Sequence, residues 1–152
     1  MLKMFLGTTG GVIGETCTIA LLAGGIYLII RKVIAPTIPL IYIGVFSAFI
    51  LVFGGHGFDL EYLAAHLCGG GLMLGAFFMA TDYVTSPVTT GGKVIFAALL
   101  GILTGLFRIY GNSAEGVSYA IIFCNLLVPL IEKITVPKAF GVVKEKKNKE
   151  AV

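Results

Sequence analysis

Long apolar runs alternate with short polar stretches along most of the chain. Each run is bounded by glycine, proline or charged residues and approaches the length that a helix needs to cross a hydrocarbon core of about 30 Å. We therefore predict five transmembrane helices, which cover Val12–Ile30, Ile38–Phe53, Leu63–Ala80, Val94–Tyr110 and Val117–Ile131. The second and fifth runs are short for a full span. They reach across only if they extend into residues 54–55 and 132–134, or if the bilayer thins locally or the helix is partly buried.

The composition agrees with a membrane protein. Hydrophobic residues make up 57% of the chain and charged residues only 12%, and the mean hydropathy is +0.99, whereas about a quarter of the residues are charged in soluble domains. We predict an all-α integral membrane bundle with a short N-terminal segment (1–11), a five-helix transmembrane domain (12–134) and a basic tail (135–152). No cleavable signal peptide is expected, because Arg31 and Lys32 follow the first run and no small-residue cleavage site is present.

Basic residues are distributed unequally between the two sides of this layout. One side receives Arg31, Lys32, Lys93, Lys133, Lys138, Lys144, Lys146, Lys147 and Lys149, and the other receives only Lys3 and Arg108. By the positive-inside rule the first side is cytoplasmic, which places the N-terminus outside and the C-terminus inside a bacterial or archaeal inner membrane. The net charge of +3 is therefore interpreted as an orientation signal, and no nucleic-acid partner is expected.

Small and aromatic residues predict how the helices pack. Ala97, Gly101 and Gly105 share one face of the fourth run, where they allow a neighbouring helix to approach closely. The six tyrosines lie mostly near the ends of the runs and are expected at the membrane interface, Tyr42 among them. The three cysteines form no CxxC motif and the two histidines no HxxxH motif, so we expect packing roles and no metal site.

Four polar clusters interrupt the apolar pattern: GETCT, AAHLCGGG, TDYVTSP and RIYGNSAEGVSYA. A carboxylate at membrane depth costs at least about 2.5–3.5 kcal/mol, so an acid that lies deep must face protein, water or an ion. We take eight residues as candidates for an ion path or a partner contact: Glu15, Thr16, Thr81, Asp82, Thr85, Ser86, Glu115 and Asn125. No catalytic residue is assigned.

The two acids that stand closest to the apolar runs allow two interpretations each. Glu15 is either part of a polar path through the membrane or an interfacial cap in the first turn of a helix. Asp82 lies either in an ordinary cytoplasmic loop, in which it caps a helix that Pro87 stops, or in unwound backbone that lines a cavity. Five hydrogen-bonding side chains between Thr81 and Ser86 exceed what a turn requires, which favours a ligand or partner contact. Asn125 is either a helix-helix hydrogen bonder or part of a pathway.

Three long strings carry a resemblance to a known family. The strings GGVIGETCTIALLAGGIYLIIRKVI, GGGLMLGAFFMATDYVTSP and EGVSYAIIFCNLLVPLIEK resemble the C-terminal half of RnfD, a subunit of the Rnf electron-transport complex, and thus the family that also contains NqrB. The resemblance extends from about Gly7 to Lys133. It implies one half of a ten-helix flavoprotein with two repeated halves and a urea-transporter-like architecture. Such a subunit acts with other Rnf membrane subunits and with an N-terminal half that this sequence lacks.

The resemblance also implies a cofactor. Members of this family carry FMN that is esterified through its phosphate to a threonine in a Ser/Thr-x-Ala-Thr motif upstream of GETCT. The most similar string in this sequence, Phe78-Met79-Ala80-Thr81, lacks the preceding small hydroxyl residue, so Thr81 is not expected to carry flavin. The attachment site is expected to be absent from this chain, as in a fragment, a split gene or a truncated gene product.

The implied function is that of a membrane subunit in a translocase that couples electron transfer between ferredoxin and NAD to movement of sodium ions or protons. Such a subunit is a component of an oxidoreductase and not an enzyme alone. Two other functions stay open at this point. Five spans with polar breaks are typical of one repeat of a channel or secondary transporter, and a chain without its cofactor site could serve as a scaffold for partner subunits.

Overall fold

The computed structural model describes residues 17–55, 59–69, 71–111 and 115–137. Within these ranges the regular structure is entirely helical. The elements are α1 (Thr18–Ile30), α2 (Thr37–Phe53), α3 (Leu60–Cys68), α4 (Leu72–Leu74) with a π-helical turn (Gly75–Met79) that continues it, α5 (Thr90–Tyr110) and α6 (Gly116–Thr135). The predicted all-α membrane bundle is confirmed.

Two helices are long and apolar enough to cross a membrane by themselves, α5 with 21 residues and α6 with 20. The bent pair of α3 and the α4–π segment is a third candidate span. The apolar helices α1 and α2 are shorter, with 13 and 17 described residues. Helix α6 includes residues 132–134, so the fifth run does gain the extension that its length required, whereas α2 ends at Phe53 with Gly54 as its cap.

The third span is not the continuous helix that the apolar run Leu63–Ala80 predicts. It begins earlier, at Leu60, where the Asp59 side chain accepts hydrogen bonds from the Glu61 and Tyr62 backbone N–H groups. It then breaks after Cys68, and the two parts are bent by 64° relative to each other. Gly71 has φ +68°, a left-handed conformation that glycine adopts without steric penalty. The extended backbone at Gly69 and the left-handed backbone at Gly71 are therefore the physical reason for the break.

Helix α5 lies at the centre of the bundle, packed against α2 on one side and α6 on the other. The core contains large buried side chains from all three helices, among them Tyr42, Phe46, Phe96, Leu100 and Cys124. Tyr42 is fully buried, so its predicted place at the membrane interface is wrong. Its hydroxyl is paired with that of Thr104 at 2.7 Å, which allows a phenol to lie inside the bundle.

The predicted small-residue face of α5 is confirmed. Ala97, Gly101 and Gly105 are buried, and α2 lies directly against them. A Cβ atom built on Gly101 would lie 2.8 Å from the Cβ of Val45 and 3.0 Å from the backbone nitrogen of Phe46. Since a backbone atom cannot move aside alone, α2 can approach this closely only where α5 has no side chain.

Successive helices run in alternating directions between two polar ends of the bundle. At one end, Thr18 and Arg108 contact the break in the third span; we call it the bend end. At the other, the loop 80–89 meets the last turn of α6 through Thr89 and Thr135; we call it the loop end. Arg31, Lys32, Lys93 and Lys133 all lie at the loop end, which agrees with the predicted separation of charges.

Candidate functional site

The break in the third span leaves backbone carbonyls without helical partners, and side chains from other helices bind them. Arg108 donates from Nη1 to the His66 carbonyl (2.9 Å) and from Nη2 to the Gly69 carbonyl (2.7 Å). The Thr18 hydroxyl donates to the Cys68 carbonyl over 3.3 Å. An unsatisfied carbonyl in an apolar surrounding is costly, and the planar guanidinium can serve two carbonyls at once.

The position of Arg108 is fixed from the other side by an aromatic ring. Its guanidinium carbon lies 5.8 Å from the ring centroid of Phe46, within the range of a cation–π contact. Phe46 is buried on α2, so this one arginine of α5 joins the third span to the α2–α5 core. The string AAHLCGGG marks this region as polar in the sequence, but the pairing with Arg108 across about forty residues has no local signal.

The TDYVTSP segment forms a compact loop at the loop end. The Asp82 carboxylate accepts a hydrogen bond from the Thr85 hydroxyl (3.2 Å), and the Asp82 carbonyl accepts one from the Ser86 N–H (3.1 Å). Asp82 is exposed. It caps no helix, because the helix before it ends at Met79 and α5 is capped by Thr89, whose hydroxyl accepts from the Gly92 N–H.

A cleft of about 330 Å³ opens beside this loop. One wall is the end of α1 with the link to α2, the other is the loop itself, and the first turn of α5 closes it. The described lining residues are Ile29, Lys32, Val33, Ile34, Ala35, Pro36, Ile38, Thr81, Tyr83, Ser86 and Lys93. Two of the predicted site residues, Thr81 and Ser86, thus line a cavity, while Asp82 and Thr85 do not. Lys32 and Lys93, which the charge pattern explains only as orientation signals, line it as well.

The loop is attached to α6 by two contacts. The Val88 N–H donates to the Glu132 carboxylate (3.1 Å), and the Thr89 hydroxyl donates to that of Thr135 (2.8 Å), which in turn donates to the Ile131 carbonyl. The two contacts between the loop and α6 connect residues more than forty positions apart. They hold one side of the cleft against the bundle.

The remaining predicted site residues are not brought together. Glu115 is exposed and directly precedes α6 at the bend end. Asn125 lies in the middle of α6, where its Oδ1 atom is buried and accepts no hydrogen bond from the described residues. Four residues further on, Pro129 has no N–H to donate to the Asn125 carbonyl. Glu15 and Thr16 lie outside the described residues.

Among the described residues, no group of three His, Cys, Asp or Glu side chains could hold a metal ion. The hydroxyl of Thr81, in the string that is most similar to a flavin-attachment motif, donates to the Phe77 carbonyl at 2.7 Å. This is the usual bond of a threonine hydroxyl to the carbonyl four residues earlier in a helix.

Comparison with known proteins decides the family. The model of the NQR2, RnfD, RnfE family matches residues 1–141 of this chain. The chain belongs to this family. The bend end and the loop end are therefore features of a membrane chain of the NQR2, RnfD, RnfE type.

Three curated relatives illustrate the extent of the similarity. A subunit of the Na(+)-translocating ferredoxin:NAD(+) oxidoreductase complex of Acetobacterium woodii is 44% identical in an alignment of 152 residues that covers 99% of this chain and 46% of the relative. The corresponding subunit of the proton-translocating ferredoxin:NAD(+) oxidoreductase complex of Clostridium ljungdahlii is 49% identical over 139 residues (91% and 42%). The corresponding subunit of the ion-translocating oxidoreductase complex of Stutzerimonas stutzeri is 40% identical in an alignment of 149 residues that covers 93% of this chain and 40% of the relative. The chain spans less than half the length of each.

Proposed function

We propose that this chain forms part of the RnfD-type membrane subunit of a complex that couples electron transfer between ferredoxin and NAD to the movement of Na⁺ or H⁺ across the membrane. The observation that carries the proposal is the family match, which covers 141 of the 152 residues. The apolar helices of the bundle agree with a membrane subunit. A relative named for sodium ions and one named for protons are similar to this chain to nearly the same degree, so both ions belong in any test.

In this role the chain supplies structure around an ion and electron path. A protein subunit positions cofactors and shapes their electrostatic surroundings, while the redox chemistry belongs to the cofactor. The two polar ends of the bundle are where such positioning is available, since the described interior between them is mainly apolar and its polar groups are few, among them the Tyr42–Thr104 pair, the Arg108 contacts and Asn125.

The partners follow from the same proposal. The rest of the relatives' length corresponds to a further membrane segment, and the complex contains other subunits of the Rnf type. We propose that the loop end faces the cytoplasm of a bacterial or archaeal inner membrane, because the basic residues gather there. FMN, which the family resemblance implies, is then attached outside residues 17–137 of this chain.

Affinity purification tests the assignment. A tag on this chain, in the cell that makes it, should recover other membrane subunits together with ferredoxin-dependent NAD reduction. Recovery of the chain alone, with that activity left in the unbound fraction, would remove the basis of the proposal. In the same preparation, mass spectrometry of the chain should find Thr81 without an FMN ester, and an ester on Thr81 would contradict the placement of the flavin.

A further inference from the structure

The described lining of the cleft at the loop end includes two lysines and no acid. Lys32 and Lys93 both line it, one from the end of α1 and one from the first turn of α5. The described acids of this end are engaged elsewhere, Asp82 with Thr85 and Glu132 with the Val88 N–H. Within the described part of the chain neither lysine has an ion-pair partner. Two positively charged residues that line one cleft without a counter-charge are an arrangement that an anion neutralises.

Lys32 occupies a backbone position at which glycine is usually preferred. Helix α1 ends in a Schellman arrangement, in which the Lys32 N–H donates to the Ile29 carbonyl and the Val33 N–H donates to the Leu28 carbonyl, both over 2.9 Å. Glycine usually occupies the left-handed position of this motif. Here Lys32 occupies it with φ +56°, and it is the only described non-glycine residue with a positive φ.

The other lining residues describe the shape of the ligand. Tyr83 and Ser86 provide hydroxyl groups that make no hydrogen bond within the described residues, so both can donate to an anionic oxygen. Opposite them the wall is apolar, with Ile29, Val33 and Ile38. The cleft lies at the end of apolar helices, where a membrane protein meets the lipid headgroups. A ligand with a phosphate group next to a hydrocarbon chain fits both walls.

We propose that this cleft binds the phosphodiester of an anionic phospholipid, with Lys32 and Lys93 as the charged contacts. Basic pockets between helices on the cytoplasmic side of membrane proteins are suited to such headgroups. The proposal rests on the placement of this end at a membrane interface and is independent of the electron-transfer role. Each lysine is expected to contribute about fivefold to lipid retention, the equivalent of about 1 kcal/mol for one basic residue near an anionic membrane surface.

Native mass spectrometry of the full chain, purified in mild detergent, measures this retention. Wild-type chain incubated with phosphatidylglycerol should retain one lipid molecule. Lys32→Gly and Lys93→Gln should each reduce this retention about fivefold, and the double variant should reduce it more than about tenfold. Lys32→Gly is informative because glycine suits the left-handed backbone, so the variant should unfold no more readily than wild type. The charge-matched control, Arg31→Gln with Lys133→Gln, changes two exposed basic residues of the same end that do not line the cleft, and should retain the lipid.

Three results would overturn the proposal. The first is equal retention of phosphatidylglycerol by the wild type and the double variant. The second is retention of phosphatidylcholine, which has no net charge, as strongly as phosphatidylglycerol. The third is displacement of the lipid by millimolar inorganic phosphate in the wild type, because this would show that the cleft selects a free phosphate and not a lipid headgroup.

Discussion

The hydroxyl oxygens of Tyr42 and Thr104 lie 2.7 Å apart in the buried interface between α2 and α5. Each side chain is fully buried, and the Tyr42 hydroxyl depends on Thr104 for its hydrogen bond. The pair lies among Phe46, Leu100 and Cys124. It is a polar connection between two membrane helices whose other contacts at this depth are apolar.

Removal of the Thr104 hydroxyl should destabilise the protein more than removal of the Tyr42 hydroxyl. Thr104→Val keeps the volume but leaves the Tyr42 hydroxyl buried without a partner, so we expect the free energy of unfolding to fall by about 1–2 kcal/mol. Tyr42→Phe should have a smaller effect, because the Thr104 hydroxyl can bond to the carbonyl four residues earlier in its own helix. Unfolding of both variants in mixed micelles measures the difference. A Thr104→Val variant as stable as wild type would show that the pair contributes nothing.

Arg108 should stabilise the bent conformation of the third span. Arg108→Gln removes two charge-assisted hydrogen bonds to the His66 and Gly69 carbonyls, at an expected loss of about 3 kcal/mol in the free energy of unfolding. Arg108→Lys should have an intermediate effect, because an ammonium group lacks the planar fork that serves both carbonyls.

Cys68 is the last residue of α3, next to the break, and its reactivity reports on movement there. In a background with Cys17→Ala and Cys124→Ala, we expect thiol alkylation of Cys68 to be severalfold faster after Arg108→Gln than in the parent. Arg31→Gln, which changes an exposed arginine at the other end, is the matched control and should leave the rate unchanged. Equal alkylation rates in the Arg108→Gln variant and the control would contradict the role of Arg108.

The close packing of α2 against α5 should be disturbed by a single methyl group added at Gly101. Gly101→Ala places a Cβ against Val45 and the Phe46 backbone, so we expect a loss of about 1–3 kcal/mol in unfolding free energy. Gly44→Ala is the control on the facing helix, because nothing lies within 4 Å of its added Cβ, and it should be neutral or stabilising. If both substitutions have the same effect on thermal unfolding in detergent, close packing at Gly101 is not what holds the helices together.

The orientation of the bundle can be tested by labelling from both faces of the membrane. In a cysteine-free background, a cysteine in place of Lys133 at the loop end should react with an impermeant reagent only from the cytoplasm. A cysteine in place of Glu115 at the bend end should react only from the outside. Labelling of both positions from the same face would mean that α6 does not cross the membrane, and the reversed pattern would invert the proposed orientation.

The sequence is informative about elements and much less about contacts between them. Apolar length locates α2, α5 and α6 to within a few residues, and the Ala97–Gly101–Gly105 spacing identifies the packed face of α5, because both signals are local and periodic. The third span is predicted as one helix because its hydropathy is continuous across the glycines. Only the left-handed backbone at Gly71 and the reach of Arg108 from another helix decide that it breaks.

The candidate site shows the same limit. The density of hydroxyl groups in TDYVTSP marks a segment of which two residues, Thr81 and Ser86, line a cavity. The opposite wall comes from residues 29–38, nearly fifty positions earlier. In the sequence, Lys32 and Lys93 are fully explained as signals of membrane orientation, so nothing there predicts that they line a cleft. Tyr42 is misplaced by sequence because a tyrosine near the start of an apolar run is usually interfacial, and its partner Thr104 is 62 residues away.

Ion movement driven by ferredoxin tests the central claim most directly. Inverted membrane vesicles from cells with and without this chain are supplied with reduced ferredoxin and NAD, and uptake of ²²Na⁺ and acidification of the lumen are recorded alongside NADH formation. We expect NADH formation and the uptake of one of the two ions to be lost together without the chain and to return together when it is restored. Full rates of NADH formation and ion uptake in vesicles that lack the chain would contradict its assignment to the complex.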